Sequence, residues 1–536
     1  MPPAVTAIER AKPDDVNQVE APVTVKAYLM CAFAAFGGIL FGYDIGYING
    51  IMGMQYFIQE FGNGNVTAGK KSLIVSILSL GTFLGALVAG DLADWFGRRT
   101  TVIAGCLVFA LGAALQDASS AYGLLIAGRF VAGLGVGFIS AIIILYMSEI
   151  APRKVRGAIV GCYQFCITIG IMLASLVTYG TQHLNTSASY RIPIAIQSVW
   201  ALILGLGLAF LPETPRYFIK QGKIDEAAKS LARLRGQPQD SAFIVVELAE
   251  IVANHEYEMQ IVPQTGYFST WLSCFKGGLR NSSSPLRRTI LGTSLQMFQQ
   301  FTGINFIFYY STTFFALLNL GVDPFLLSLV TTLVNVFSTP ISFWTVERFG
   351  RRPLLIYGAL GMAISQFIVA IAGTAAGTNK SVIKVEISFV VIFIFFFAST
   401  WGPGAWIVIG EIFSLPIRSK GVALSTASNW LWNFVIAIVT PYMVGENEAN
   451  LREKVFFIWG SMCFACMVYA YLLVPETKGL TLEQVDRMLE ESSPRTSSKW
   501  RPGMNDFYSV RKQSENTAAN ATGHELEDMS ANKNTV

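Results

Sequence analysis

The sequence predicts an all-α membrane protein whose twelve transmembrane helices form two six-helix halves joined by an intracellular helical linker. Three observations lead to this prediction: an apolar composition, twelve apolar stretches of membrane-spanning length, and an internal repeat. Of the 536 residues, 52% are apolar and only 14% are charged, whereas a soluble protein carries about 25% charged residues. The expected solvent is therefore lipid.

The apolar stretches define the expected spans. About 20 residues of helix cross the roughly 30 Å of hydrocarbon in a bilayer. The predicted spans are 27–49, 73–93, 100–118, 122–148, 157–180, 192–211, 290–318, 325–346, 354–375, 386–413, 422–443 and 455–474.

The positive charges predict the orientation, because Lys and Arg collect in the cytoplasmic segments of membrane proteins. With both termini cytoplasmic, 31 of the 39 basic residues lie on the cytoplasmic side, 7 lie in outer loops and Arg129 lies within the membrane. The glycosylation sequons at Asn65, Asn185 and Asn379 then fall in outer loops. We therefore expect a multi-pass glycoprotein with both ends inside the cell.

An internal repeat divides the chain. Asp94-Trp-Phe-Gly-Arg-Arg99 returns as Glu347-Arg-Phe-Gly-Arg-Arg352, and Pro212-Glu-Thr returns as Pro475-Glu-Thr, at offsets of 253 and 263 residues. Such a spacing predicts two halves related by a parallel repeat. The predicted organisation is a cytoplasmic segment 1–26, a six-helix bundle 27–211, a cytoplasmic linker 212–289 with short amphipathic helices, a second bundle 290–474, and a cytoplasmic tail 475–536, mostly disordered from Glu483 onward.

Several function classes are excluded by composition and motifs. The 39 basic and 35 acidic residues nearly balance, which argues against nucleic acid as a partner. The seven Cys form no CxxC pair, so we expect neither a zinc site nor a disulfide framework. No HExxH, Walker or GxSxG motif occurs, and we expect no enzyme and no cofactor. The glycines of Gly133-Leu-Gly-Val-Gly137 are typical of close helix packing, since no strand precedes them.

Nine motifs follow one another along the chain: Phe41-Gly-Tyr-Asp44, Gly90 to Arg99, Gly128-Arg129, Tyr146-Met-Ser-Glu149 with Arg153 to Gly157, Pro212-Glu-Thr-Pro-Arg216, Gln299-Gln-Phe-Thr-Gly-Ile-Asn305, Glu347 to Arg352, Gly402-Pro-Gly-Ala-Trp406 and Pro475-Glu-Thr-Lys-Gly479. Together they resemble the sugar porter family of the major facilitator superfamily, most closely fungal high-affinity hexose transporters. The resemblance covers nearly all of residues 27–482. One departure is Trp95, where the family usually has Arg, so we expect fewer ion pairs at this inner gate.

The resemblance implies a function in transport. A chain of this kind is expected to be a monomeric plasma-membrane importer of a monosaccharide, a glucose-like hexose or a pentose, which works by alternating access with a proton as co-substrate. Two alternatives stay open at this point, a facilitative hexose uniporter and a sugar sensor that transports little.

Two charges fall inside predicted spans, Asp44 and Arg129. Intramembrane charge is expensive and is usually functional. Either the two form a static pair between helices one and four, or Asp44 exchanges protons as Arg129 moves toward and away from it. In symporters that this chain resembles, the residue matching Asp44 is the proton site.

The stretch from Gln296 to Tyr310 is too polar to face lipid. At 100° per residue, Asn305 lies on the face opposite Gln296, and it is about 120° from Gln299 and about 140° from Gln300. Gly303 is where the helix can break and turn both sets toward one cavity. Amides suit a sugar because each offers donors and acceptors to hydroxyl groups; the alternative is hydrogen bonding between helices.

The resemblance adds further residues to the expected sugar site. Gln299, Gln300 and Asn305 match the family's sugar-binding amides, and Trp406 would stack on a pyranose ring beside the weak Gly402-Pro403-Gly404 segment. An alternative for Trp430 is lipid packing or anchoring at the interface. The complete expected set is Gln164, Gln299, Gln300, Asn305, Asn335, Trp406, Trp430 and Asn433.

Clusters of arginines with acids beside them occupy the cytoplasmic ends of predicted helices. Topology rules explain the arginines but not the acids, because acids contribute little to topology. We therefore predict inner-gate ion pairs that stabilise the outward-open state and break when the cytoplasmic side opens. The gate residues are Arg98, Arg99, Glu149, Arg153, Glu213, Arg216, Glu347, Arg351, Arg352, Glu411 and Arg418.

Overall fold

The computed structural model describes residues 24–62, 67–152, 155–261, 271–279, 284–317, 323–376, 380–445 and 448–501. Arg153 and the sequons at Asn65 and Asn379 lie outside these ranges. Asn185 is described and exposed in the loop between two long helices. The described residues fold into helices joined by short loops.

The described residues of the first half form eight helices. Phe36 separates the two helical segments of the long first span. These helices are α1 (Val25–Ala35), α2 (Gly37–Ile51), α3 (Gln55–Gly62), α4 (Ala68–Phe96), α5 (Arg98–Asp117), α6 (Tyr122–Ile150), α7 (Arg156–Thr181) and α8 (Ala188–Ala209).

The linker is helical, as its amphipathic pattern predicted. It contains α9 (Pro215–Lys220), α10 (Ile224–Arg235) and α11 (Ala242–Ile261). Ala227, Leu231 and Leu234 are buried on one face of α10, which is the arrangement expected of a surface helix.

The second half repeats the plan of the first. Its helices are α12 (Pro285–Phe301), α13 (Ile304–Leu317), α14 (Pro324–Ser338), α15 (Ile341–Phe349), α16 (Arg351–Ala376), α17 (Lys380–Phe396), α18 (Gly402–Glu411), α19 (Arg418–Val444) and α20 (Val455–Leu473). Helix α21 (Leu482–Glu491) follows in the tail. A π-helical turn, Phe397–Trp401, joins α17 to α18. It lies directly before Gly402, where the sequence predicted a weak point, and π-turns are a recognised cause of helix kinks.

Twelve predicted spans correspond to these helices. Ten helical stretches in the described residues are long and apolar enough to cross a membrane, and α14 with α15 forms an eleventh that is bent by 41°. The remaining predicted span, 290–318, is occupied by α12 and α13, which are separated at Thr302 and Gly303. The all-α, twelve-helix prediction is confirmed.

Glycine allows close packing of α4 on α6. A Cβ atom at Gly133 would lie 2.3 Å from the carbonyl oxygen of Leu78, and one at Gly137 would lie 2.5 Å from that of Thr82. These contacts support the packing interpretation of the glycine-rich motif.

The prediction of disorder from Glu483 onward is wrong for residues 483–501. Helix α21 begins with a capping box, in which Thr481 and Gln484 each bond the other's backbone N–H. Val485 and Met488 are buried, and Asp486 pairs with Arg288 at the start of α12. The sequence Thr-Leu-Glu-Gln matches the capping-box pattern and could have predicted this helix start. The disorder prediction relied instead on the polar composition of the flanking residues. Residues 502–536 lie outside the described part of the chain.

The two halves touch at both of their ends. We call the side where α9–α11 and both ends of the described chain lie the linker side. On this side, the N–H of Ala158 in the first half donates to Glu347 Oε1 in the second half at 3.1 Å. On the far side, Asn49 Nδ2 of α2 donates to Ser311 Oγ of α13 at 2.9 Å and to Ser328 Oγ of α14 at 3.1 Å. The polar residues that lie between these two contacts are therefore enclosed between the two halves.

Candidate functional site

A break in the span formed by α12 and α13 organises the site. Gly303 has φ of 80°, a left-handed conformation that glycine adopts readily. The break exposes the carbonyl of Thr302, which accepts a hydrogen bond of 2.8 Å from Gln366 Nε2 of α16. The sequence-based prediction of a break at Gly303 is confirmed.

The break brings the predicted amides together. Gln300 Oε1 accepts from Asn305 Nδ2 across the break and from Asn433 Nδ2 of α19 at 3.3 Å. Gln299 Nε2 donates to the carbonyls of Trp401 and Gly402, at 3.2 and 2.9 Å. Amides from α12, α13 and α19 therefore form one buried cluster beside the irregular start of α18.

Asn433 connects this cluster to the first half. Its Oδ1 accepts from Ser79 Oγ of α4 at 2.7 Å and from the hydroxyl of Tyr309 at 3.1 Å. A polar cluster that spans the contact between the halves can respond to their relative movement.

Two tryptophans border the cluster. Trp430 is fully buried; its Nε1 donates to Ser140 Oγ at 3.2 Å, and its ring lies 4.8 Å from that of Phe41. The alternative of a lipid-facing Trp430 is therefore wrong. Trp406 is also buried and packs edge-on against Tyr163 at 5.7 Å.

Two predicted amides lie outside the hydrogen-bonded cluster. Gln164 of α7 is buried beside Gly402, where a Cβ would lie 3.3 Å from Gln164 Cγ. Asn335 of α14 is fully buried, and neither Oδ1 nor Nδ2 has a hydrogen-bond partner within the described ranges of the chain. An unsatisfied buried amide is costly, and it can be satisfied by a polar ligand.

Asp44 and Arg129 are both buried but do not bind each other directly. Arg129 Nε donates to the carbonyl of Ile74 at 2.6 Å, and its Nη1 donates to the hydroxyl of Tyr47. Both oxygens of Asp44 lack a hydrogen-bond partner among the described residues. The static Asp44–Arg129 pair considered from the sequence is absent from this conformation.

The predicted ion pairs on the linker side form within each half. Arg98 Nη2 lies 3.1 Å from Glu149 Oε1 in the first half, and Arg351 Nη2 lies 2.9 Å from Glu411 Oε1 in the second. These two buried pairs occupy equivalent places in the repeat, and each ties the start of one helix to the end of another.

A second acid in each half caps a helix. Glu213 Oε2 accepts from the N–H of Arg99 at 2.9 Å, and Glu476 accepts from the N–H groups of Arg351 and Arg352 at 3.0 and 3.2 Å. Carboxylates at helix starts bind unpaired N–H groups favourably. Burial raises the pKa of Glu213 above its usual value.

Some predicted gate arginines bind carbonyls. Arg99 Nη1 donates to Leu211 O at 3.0 Å, and Arg352 Nη2 donates to Tyr471 O at 2.7 Å. Arg216 Nη1 donates to Glu149 O at 3.1 Å, and Arg418 Nε donates to Phe413 O at 2.9 Å. These bonds fix helix ends in place within their own half.

The contact between the halves on the linker side is centred on Asp94 of α4. Lys420 Nζ of α19 lies 3.3 Å from Asp94 and 3.5 Å from Asp91, and Lys220 Nζ of α9 lies 3.0 Å from Asp94. Burial lowers the pKa of Lys220. Although Trp95 stands where the family usually has Arg, Asp94 has two lysine partners, Lys220 and Lys420, besides Arg98 at 3.9 Å.

The sequence comparison identifies the family. Residues 30–489 match the family described as "Sugar (and other) transporter". The chain belongs to the sugar transporter family of the major facilitator superfamily. The transporter is 47% identical over 498 residues to the "Major facilitator-type transporter ecdD" of Aspergillus rugulosus, covering 89% of this chain and 90% of that one.

Other relatives carry names that refer to glucose. The transporter is 44% identical to the "Probable glucose transporter rco-3" of Neurospora crassa, covering 91% of this chain and 82% of the relative. It is 42% identical to the "High glucose sensor RGT2" of Saccharomyces cerevisiae, covering 89% of this chain and 62% of that protein.

Among solved structures, the transporter is similar to the proton:xylose symporter XylE bound to 6-bromo-6-deoxy-D-glucose. The TM-score is 0.75 at 27% identity, covering 87% of this chain and 99% of the other. This likeness agrees with the two-half architecture described above.

Sequence reasoning missed two central residues of the transporter. Asn429 Nδ2 bridges Gln296 Oε1 and Gln299 Oε1, at 2.7 and 2.8 Å. Its position one helical turn before Asn433 was a readable signal, since residues four apart share a helix face. Lys420 was missed because the predicted gate was built from arginines and acids only.

Proposed function

We propose that this transporter imports a glucose-like hexose together with a proton across the plasma membrane, working as a monomer by alternating access. Both termini and the linker side are cytoplasmic in this proposal. The observation that carries it is the buried amide cluster between the halves together with the unpartnered carboxyl of Asp44.

The amide cluster supports an uncharged, hydroxyl-rich substrate. The side chains of Gln299, Gln300, Asn305 and Asn433 offer donors and acceptors without net charge. Their bonds to one another satisfy the cluster while the site is empty, and sugar hydroxyls can replace them. Asn335, which has no partner here, is available to a substrate, and Trp406 supplies an aromatic face.

The surroundings of Asp44 support proton coupling. An ionised carboxylate that is buried without a partner is far costlier than a neutral carboxyl. This conformation therefore suits the protonated form. Movement of Arg129 toward Asp44 would favour the ionised form and release the proton.

The relatives support the same substrate class and coupling. The names of two of them refer to glucose, and the similar solved structure is of a proton:xylose symporter.

Labelled-glucose uptake in cells that lack their own hexose transporters tests the proposal. Uptake is measured from acidic to neutral external pH, with and without a protonophore. We expect uptake to rise with acidity and accumulation to collapse with the protonophore. Uptake that changes neither with external pH nor with the protonophore would identify a facilitative uniporter. Sugar binding without uptake would identify a sensor.

A further inference from the structure

The guanidinium of Arg129 is held by groups other than Asp44. Its Nη1 donates to the hydroxyl of Tyr47, and its Nε donates to the carbonyl of Ile74 at 2.6 Å. The guanidinium also lies 5.6 Å from the centre of the Tyr47 ring. Arg129, Tyr47 and Asp44 are each at most 1% exposed, so water does not compete for these donors.

Tyr47 is itself oriented by a third buried side chain. Its hydroxyl donates to Gln116 Oε1 of α5 at 2.7 Å, and Gln116 Nε2 donates to the carbonyl of Gly112 at 3.3 Å. Because the hydroxyl proton points to Gln116, the oxygen presents its lone pairs to Arg129. A Cβ at Gly128 would lie 2.8 Å from Gln116, so Gly128 makes room for this side chain beside Arg129.

We propose that Tyr47 and Gln116 are positioning residues of the proton switch, which hold the Arg129 guanidinium off the Asp44 carboxyl and so set the external pH at which the transporter takes up its proton. The inference rests on the proposed symport. The proton passes between water and the Asp44 carboxyl, and Tyr47 transfers none. Among the described residues, the ionisable groups that act on Asp44 are Arg129 of α6, Tyr47 of its own helix and Tyr309 of α13.

Removing the Tyr47 hydroxyl has a defined consequence. Arg129 Nη1 would lose its acceptor inside the protein, which is unfavourable for a charged donor. The Asp44 carboxylate is a nearby acceptor that lacks a partner. Pairing with a guanidinium stabilises the ionised carboxylate, so the variant would need a more acidic medium to load its proton.

The test compares Tyr47→Phe with Tyr43→Phe. Both tyrosines are buried on α2, but the hydroxyl of Tyr43 donates to the carbonyl of Pro193 at 3.1 Å. Labelled-glucose uptake is measured against external pH at matched amounts of protein in the membrane. We expect the midpoint of the pH profile to move toward acid by about one unit or more in Tyr47→Phe and to stay at the wild-type value in Tyr43→Phe.

Gln116→Leu provides a second variant, because it removes the acceptor that orients the Tyr47 hydroxyl. It should shift the midpoint in the same direction, and the double variant with Tyr47→Phe should shift no further than Tyr47→Phe alone. Unshifted midpoints in Tyr47→Phe and Gln116→Leu, with a pH-dependent wild type, would overturn the positioning role and leave symport intact. A flat wild-type profile would instead reject symport and the positioning role with it.

Discussion

Lys420 Nζ lies 3.3 Å from Asp94 Oδ2, so a lysine of the second half neutralises an acid of the first. Both side chains are nearly buried, at 6% and 10% exposure. The buried Arg98–Glu149 and Arg351–Glu411 pairs, by contrast, each lie within one half. The Lys420–Asp94 contact is therefore a clear candidate for an interaction that must break when the linker side opens.

Lys420→Met is expected to shift the transporter toward the inward-open state. The change removes contacts to Asp91 and Asp94 that join the halves, and every 1.4 kcal/mol lost is about a tenfold change in population. Ser148 of α6 is fully buried and close to Gly410 of the second half. A Ser148→Cys reporter, with the seven native cysteines replaced, should react faster with a membrane-permeant thiol reagent in Lys420→Met.

Lys229→Met is the control for this experiment. Lys229 pairs with Glu226 on the exposed surface of α10, and its removal should leave labelling unchanged. Equal labelling rates in Lys420→Met and the parent would show that Lys420 does not hold the linker side closed.

Gln300→Ala should weaken glucose binding without reducing the amount of protein in the membrane. The change removes a side chain that bonds Asn305 and Asn433, and it leaves substrate hydroxyls unpaired. The expected loss is about 1 to 3 kcal/mol, or roughly 5- to 150-fold in affinity. Equilibrium glucose binding measures this loss of affinity, with the exposed Gln239 in the linker changed to alanine as a control. Wild-type affinity in Gln300→Ala would place the sugar site elsewhere.

Asn335→Leu and Asn429→Leu should differ in their effect on stability. Asn335 has no hydrogen-bond partner in the part of the chain that the structure describes, so its loss should lower glucose affinity without lowering the apparent melting temperature. Asn429 bridges Gln296 and Gln299, and its loss leaves the buried Gln296 Oε1 unpaired at a cost of about 1 to 3 kcal/mol. Melting of the purified variants in detergent distinguishes them; equal melting temperatures would contradict this division.

Gly303→Ala should destabilise the protein. At φ of 80° a residue with a side chain costs about 1 to 2 kcal/mol, and the added Cβ would lie 2.5 Å from Trp459 Cγ. Gly180→Ala is the matched control, because nothing lies within 4 Å of its Cβ position. If Gly303→Ala has the same melting temperature as the Gly180→Ala control, the helix break at residue 303 does not need glycine.

The sequence predicted those features that one helix can reveal by itself. Amides on opposite faces of one span required a break near Gly303, and the break is present. Contacts between two helices were harder to predict. Asn429 of α19 bridges two glutamines of α12 only because of the way these two helices are aligned along each other. Likewise, only the approach of α19 to α4 shows that Lys420 of the second half pairs with Asp94. The tail helix α21 was not predicted because the interpretation relied on the polar composition of the tail and not on its capping-box pattern.

The most direct test of the central claim, that Asp44 couples sugar entry to protons, is the pH of a lightly buffered suspension of transporter-null cells expressing the protein. Addition of glucose should make the medium more alkaline as protons enter with the sugar. Asp44→Asn should abolish this change while retaining glucose counterflow, because an amide keeps hydrogen-bonding capacity but carries no exchangeable acidic proton. Glucose uptake by the wild-type protein with no alkalinisation would contradict the account.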